Sequence, residues 1–231
     1  MGKREEVRER RKKEAAKKNR TTIIIVSALV VVVIGVIIAY QLKPVGDITL
    51  PDRVHTSESN GLTLGSADAP VQVVEFADFQ CPACAAYWSQ LEPQIISLYV
   101  DTGKIQYTYS PFSFLGQGQT WDESKKAAEA AYCANEQQKF WEFHDIIFAN
   151  HNGENQGAYT KERLVAFAKE LGLDMDAFNA CFNSGKYAQT IEDNNLFATQ
   201  QGATYTPSFL VDGKIVNANE LVQAIEDSLA K

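Results

Sequence analysis

The chain changes its hydrophobic pattern twice. Residues 1–20 are mostly charged; residues 23–40 (IIIVSALVVVVIGVIIAY) are apolar on every helical face; beyond them short apolar runs alternate with polar breaks. No charged residue occurs from Thr21 to Leu42. A helix of about 20 residues spans a bilayer core, so this run predicts a single N-terminal transmembrane anchor over residues 21–42. Two alternatives compete with an uncleaved anchor. A cleaved signal peptide is opposed by the length of the run and by the lack of a small-x-small site after it. A buried core helix is opposed by the apolar character of all its faces. Residues 43–60 mix Pro44, Gly46, Pro51, Ser57 and Ser59 with polar positions and predict a linker.

From Gly61 the pattern is that of a folded domain, expected over residues 61–231. Val71 to Phe76 predicts a strand, Ala77 to Gln80 a loop, and Cys81-Pro82 the start of a helix running toward Tyr99. Lys104 to Tyr109 predicts the next strand. Ser124 to Ala149 carries Ala128, Ala131, Tyr132, Phe140, Phe143 and Ile147 at helical spacing. Thr160 is placed to cap a helix reaching Leu171, and two more helices are expected over Asp174–Phe182 and Tyr187–Gln201. Ser208–Val211 and Lys214–Val216 flank Asp212-Gly213, a hairpin signal. Asn217 or Asn219 is expected to cap the last helix, which ends at Ala230. A strand–helix–strand unit and a strand–turn–strand–helix unit thus enclose a helical block over about residues 116–200, an α/β class of fold.

Charge sharpens the division. Residues 1–20 hold ten Lys/Arg and four Glu, so of 22 basic and 29 acidic residues twelve and twenty-five remain for the rest. The basic flank predicts a cytoplasmic tail and an extracytoplasmic domain at the cell membrane. An acidic domain argues against nucleic-acid binding, which needs a basic face. Four cysteines, Cys81, Cys84, Cys133 and Cys181, all lie on the outer side, and an even count in an oxidising compartment suggests two disulfides.

The candidate chemistry sits in Cys81-Pro82-Ala83-Cys84. Two thiols in the first turn of a helix can close a small disulfide ring. The first lies where free backbone N–H groups favour an anion, so Cys81 is the expected nucleophile; Cys84, one turn on, is the expected resolving thiol. Half a zinc site is a weaker reading, because the other cysteines are isolated and His55, His144 and His151 do not pair at ligand spacing. A purely structural bridge is weaker too, since so short a ring constrains little chain. No metal and no cofactor are expected. The aromatics Phe79, Tyr87, Trp88, Phe140, Trp141 and Phe143 read as core. Phe112 and Phe114 are candidates for an apolar groove, and His144 for a helix residue with a local hydrogen bond.

The segments VVEFADFQCPAC (Val73 to Cys84), AAYCANEQQKFWEFHDIIF (Ala130 to Phe148) and GATYTPSFLVDG (Gly202 to Gly213) resemble the active-site strand, helical insertion and cis-proline loop of DsbA-like oxidoreductases. The resemblance covers roughly Gly61 to Lys231, and is to the membrane-tethered bacterial branch. It implies a thioredoxin-like fold with a helical insertion. It implies that Pro207 is the cis-proline facing the redox pair, with Thr206 offering backbone to a substrate strand, against an ordinary trans proline. It implies that Glu75 is a buried acid able to move a proton to or from Cys84, against a surface strand residue. Cys133 and Cys181 become a structural disulfide, against two buried free thiols or a second redox pair. Pro82-Ala83 departs from the Pro-His of the best-known member, which removes a histidine that stabilises the thiolate there. The implied activity is disulfide formation in reduced extracytoplasmic polypeptides. The implied partner is a membrane quinone-linked reoxidant, DsbB-like or vitamin K epoxide reductase-like. A tethered reductase or isomerase and a non-catalytic binding module for unfolded chains are the alternatives.

Overall fold

A computed structural model describes residues 2, 23, 25–36, 45–53, 55 and 57–231. It divides into two compact units, residues 1–46 and 47–231. In the first, residues 25–36 are helical with exposed apolar side chains. Ile23 is also helical and exposed; the other residues of the expected anchor, and the basic tail apart from Gly2, lie outside the described residues. Among the described residues no helix is long and apolar enough to cross a membrane.

The second unit is built on one mixed sheet in the order β1-β2-β4-β3-β5-β6. Its strands are β1 (Ser59–Asn60), β2 (Thr63–Leu64), β3 (Val71–Ala77), β4 (Ile105–Pro111), β5 (Ser208–Val211) and β6 (Lys214–Val216). β3 and β4 run parallel, and the other pairs are antiparallel. β3 is central and mostly buried, with only Gln72 exposed, which is why its sequence is largely apolar rather than strictly alternating. Asp212 and Gly213, at φ 47° and 76°, turn β5 into β6. Two successive positive φ values match the twist of a two-residue hairpin, and Asp-Gly tolerates both.

Helix α1 (Pro82–Gln90) follows β3. The sequence predicts that it continues toward Tyr99, but it stops at Leu91, and a short helix α2 (Glu92–Ile95) and a π-helical turn (Ile96–Val100) follow. Pro93 has no N–H to give to the carbonyl of Ser89, so the ladder breaks there. Five helices occupy the block between β4 and β5: α3 (Glu123–Asn135), α4 (Phe140–Ala149), α5 (Lys161–Glu170), α6 (Met175–Ser184) and α7 (Ala188–Gln200). The helical stretch expected over Ser124–Ala149 is thus two helices, α3 and α4. Lys139 N–H reaches back to the Ala134 carbonyl and Gln138 takes φ 59°, which closes α3 before α4 begins. Thr160 caps α5 through the Arg163 N–H. The last helix, α8 (Leu221–Leu229), starts later than expected; Asn217 Oδ1 accepts the N–H groups of Asn219 and Glu220 in the turn before it.

The linker expected over residues 43–60 also differs. Thr49 N–H donates to Asn150 Oδ1 at 2.9 Å and its carbonyl accepts from Asn150 Nδ2 at 2.8 Å. Arg53 and His55 reach buried carboxylates of α2 and α4, and Ser59–Asn60 adds the edge strand. Residues 47–60 are therefore part of the folded unit, because charges buried elsewhere in it need them.

Candidate active site

The site is assembled where β3 ends. Its registers with β4 and β5 set Glu75 opposite Tyr109 and Phe209, and Phe76 opposite Ser208. The loop that follows is fixed by Asp78, whose buried carboxylate accepts the N–H groups of Gln80, Phe114 and Leu115 at 2.9–3.0 Å. Gln80 is held in turn by Ser124, Asn155 and His151. Cys81 then occupies the N-cap of α1, extended at φ −72°, ψ 120°, with Pro82 as the first helical residue. Its carbonyl accepts the Ala85 N–H at 3.0 Å. Pro82 and Ala83 face solvent.

The two sulfurs are free thiols in different surroundings. Cys81 is 8% exposed and Cys84 0%, so an incoming thiolate meets Cys81. The Cys81 thiol is pulled down to about 6. The largest cause is the hydrogen bond from the Cys84 thiol; burial opposes it; the Thr206 hydroxyl and the N–H groups of Cys84 and Ala83 help. The helix start therefore contributes as the sequence suggests, but it ranks behind the partner sulfur. Cys84 is pushed well above its ordinary value by burial, by its bond to Cys81 and by the charges of Cys81 and Glu75.

Thr206-Pro207 is a cis peptide bond. It brings the Thr206 carbonyl within 3.3 Å of Cys81, whose thiol donates to it. Thr206 thus serves both states of the sulfur, its carbonyl bonding the thiol and its hydroxyl the thiolate. Glu75 is 1% exposed, so it is no surface strand residue. It accepts a 2.5 Å hydrogen bond from the Tyr107 hydroxyl, and that hydroxyl lies 3.1 Å from the hydroxyl of Tyr87. Burial lifts Glu75 to about 8; Tyr107 works against the shift and the charge of Cys81 adds to it. At neutral pH the site therefore holds a thiolate at the surface and a protonated acid beneath it.

Cys133 on α3 and Cys181 on α6 form a disulfide. Phe79, Tyr87, Phe140, Trp141 and Phe143 are core, and Trp88 is partly buried against it. Phe112 and Phe114 pack on each other at 4.9 Å beside Phe76. His144 is fully buried, and its Nδ1 bonds Asp145 at 3.0 Å, the next residue along α4.

The sequence missed a second buried polar cluster. Glu92, His144 and Asp145 lie together, joined by Arg53 and His55. Two acids inside apolar helices, at Leu91-Glu92 and in FWEFHDIIF, were the available signal. Their donor atoms lie close enough to suit a metal ion. The Arg53 guanidinium already bonds Glu92 at 2.5 Å and lies 3.5 Å from Asp145, so a cation is in place and a metal fits poorly.

A strand leading through a fixed loop to a low-pKa cysteine at a helix N-cap, a buried second cysteine one turn later and a cis-proline loop against them define a protein disulfide oxidoreductase. Comparison with known proteins agrees. The sequence model of a thioredoxin family matches residues 57–230. A probable disulfide bond formation protein D of Bacillus anthracis is 32% identical over 173 residues, 73% of this chain and 78% of its own. Oxidised BdbD from Bacillus subtilis superposes with a TM-score of 0.66 at 26% identity, over 78% of this chain and all of that one. DsbA from Chlamydia trachomatis gives 0.61 over 77% of this chain and 95% of its own, and at 22% identity speaks for the fold alone. The chain belongs to the DsbA-like thiol–disulfide oxidoreductases of the thioredoxin family.

Proposed function

We propose that the protein forms disulfides in reduced extracytoplasmic polypeptides through the Cys81–Cys84 pair, tethered to the cell membrane by residues 21–42 with its N-terminus in the cytoplasm. A substrate thiolate attacks Cys81 Sγ, the Cys81–Cys84 bond breaks, and Cys84 leaves as a thiolate. Glu75 gives that thiolate its proton and becomes a carboxylate. A second substrate thiolate attacks the substrate sulfur of the mixed disulfide, and Cys81 leaves as a thiolate. The substrate is oxidised by two electrons and the enzyme is left as the dithiol, to be reoxidised by a quinone-linked membrane protein of DsbB-like or vitamin K epoxide reductase-like kind. Thr206, freed from Cys81, pairs with the backbone of the bound substrate.

The observation that carries the direction is the low pKa of Cys81. A stabilised thiolate favours the reduced enzyme, so the oxidised form gives its disulfide away. The test is the redox equilibrium of wild type with glutathione, and the trapping of a glutathione adduct on Cys84→Ser. An oxidising potential supports the oxidase. A potential as reducing as thioredoxin's, about −270 mV, overturns it in favour of a reductase.

A further inference from the structure

Among the described residues, the buried polar atoms that lack a partner are not scattered. Glu92 Oε1, His144 Nε2, Tyr109 Oη and Trp141 Nε1 are four of the five. The Tyr109 and Trp141 rings lie 4.9 and 5.1 Å from the imidazole of His144. Glu92 Oε1 and His144 Nε2 face each other at 3.7 Å. Unpaired buried polar groups are rare and call for an explanation.

The surrounding groups run in one direction. Tyr107 and Tyr87, hydrogen-bonded to Glu75 and to each other, feel the charges of both Glu75 and Glu92. The two carboxyls also act on each other, since the charge of Glu75 raises Glu92 further after burial has raised it. Beyond Glu92 come His144, then Asp145 at 3.0 Å from its Nδ1, then His55 with Nε2 at 2.8 Å from Asp145 Oδ2. His55 opens on a cleft of about 630 Å³ bordered also by Arg53, Trp141, Glu136 and Glu142. Hydrogen bonds thus join Glu75 through Tyr107 to Tyr87 and His144 through Asp145 to His55; Glu92 lies between the two runs, tied to the tyrosines through its charge and to His144 by a 3.7 Å approach.

We propose that Glu92, His144, Asp145 and His55 form a proton relay that carries the proton exchanged between Cys84 and Glu75 to and from solvent in this cleft. The inference rests on the reading of Glu75 as the proton partner of Cys84. When the dithiol is oxidised, Glu75 hands its proton to the line and takes the proton of Cys84 in its place. The tyrosine hydroxyls each pass one proton on, and Glu92 receives one. Glu92 gives a proton to His144 Nε2, His144 gives its Nδ1 proton to Asp145, and Asp145 hands one to His55 Nε2. His55 releases its Nδ1 proton to a base in the cleft. One proton leaves and every station ends with as many as it had. Oxidation of a substrate needs the opposite transfer, so the line runs backward in the other half-reaction and resets itself. Against the effect of burial, His144 and His55 hold Asp145 well below its ordinary value, so it takes a proton from one histidine only as it gives one to the other. Burial keeps His144 neutral against the pull of Asp145. For His55, burial is outweighed by Asp145 and Glu92, which hold it above its ordinary value, with Arg53 opposing. A relay on the far side lets protons move while bound substrate covers Cys81.

The test uses the full reduced chain mixed with oxidised glutathione under acid quench. Cys81 thiolate first takes a glutathionyl group and releases one glutathione. Cys84 then closes the ring and releases the second, which requires loss of its proton. His55→Ala and Glu92→Gln are expected to slow closure roughly tenfold at pH 7, with adduct formation changed less than about twofold. Imidazole is expected to restore closure in His55→Ala in proportion to its concentration, an effect that a merely structural histidine would not show. Glu142→Gln, on the cleft but outside the line, is expected to match wild type. Closure at the wild-type rate in both relay variants, or slow closure in His55→Ala that imidazole leaves unchanged, overturns the relay. If Glu75→Gln closes at the wild-type rate, the role of Glu75 fails and the relay falls with it. If Glu75→Gln is slow while the other two are not, only the relay fails.

Discussion

Replacing Glu75 with Gln separates the acid's charge from its shape. The amide oxygen still accepts from the Tyr107 hydroxyl, which the carboxylate does at 2.5 Å, and the volume is conserved. Only the ability to ionise is lost. Burial lifts the carboxyl from 4.5 to about 8. At about 1.36 kcal/mol per pKa unit this is about 5 kcal/mol of penalty against the charged form. The native state keeps the proton up to about 8, whereas the unfolded chain loses it near 4.5. Between those limits the native state binds more protons, so stability falls as pH rises through the window. Gln has no such slope. Urea unfolding of the two reduced proteins at pH 5 and pH 8 reads the difference. The stability of Glu75→Gln relative to wild type should rise by about 3 kcal/mol between the two. A difference that stays constant within about 1 kcal/mol would mean that Glu75 ionises as an ordinary carboxylate, and the protonated acid beneath the thiols would have to be abandoned.

Cys84→Ala removes the thiol that contributes most to lowering Cys81; the pH midpoint of Cys81 alkylation should move up from about 6 toward 9.0. Joint replacement of Cys133 and Cys181 by Ala releases a closure between residues 48 apart, and unfolding titrations should show a loss of about 4 kcal/mol in the chain-entropy account, with the pKa of Cys81 unchanged. Asp78→Ala strips acceptors from the N–H groups of Gln80, Phe114 and Leu115. Its expected loss is about 3 kcal/mol or more, read by thermal unfolding, together with faster proteolysis around residues 112–116.

Local chemistry was the legible part of the sequence. Val71 to Phe76 is read as a strand from its run of Val and Phe, one residue short of the strand formed. The hairpin is read because Asp-Gly suits its turn, and the start of α1 because Pro82 fits the first helical position. Breaks within apolar runs were not legible. Asn135 to Lys139 hold no Gly or Pro to mark an end, and the backbone turn at Gln138 parts α3 from α4. Two-residue strands such as Ser59–Asn60 carry no period at all. The site divides along the same line. The two thiols sit in one short motif, and the proline loop was visible only through resemblance. The cluster around Asp145 joins Arg53, His55, Glu92 and His144, whose partners lie up to 92 positions away. A Pro-rich polar stretch gives no sign that its cations neutralise acids on two helices, so residues 47–60 pass for linker. Glu75 was legible as a position, but its charge state depends on burial between β4 and β5, which alternation along β3 does not reveal.

The central claim is that Cys81 is an unusually stable thiolate. Ultraviolet titration of thiolate absorbance in the reduced protein, with Cys81→Ser as the blank, measures it directly. A midpoint at about 6 is the result the account predicts. A midpoint near 9.0, the ordinary value for a cysteine thiol, would contradict it.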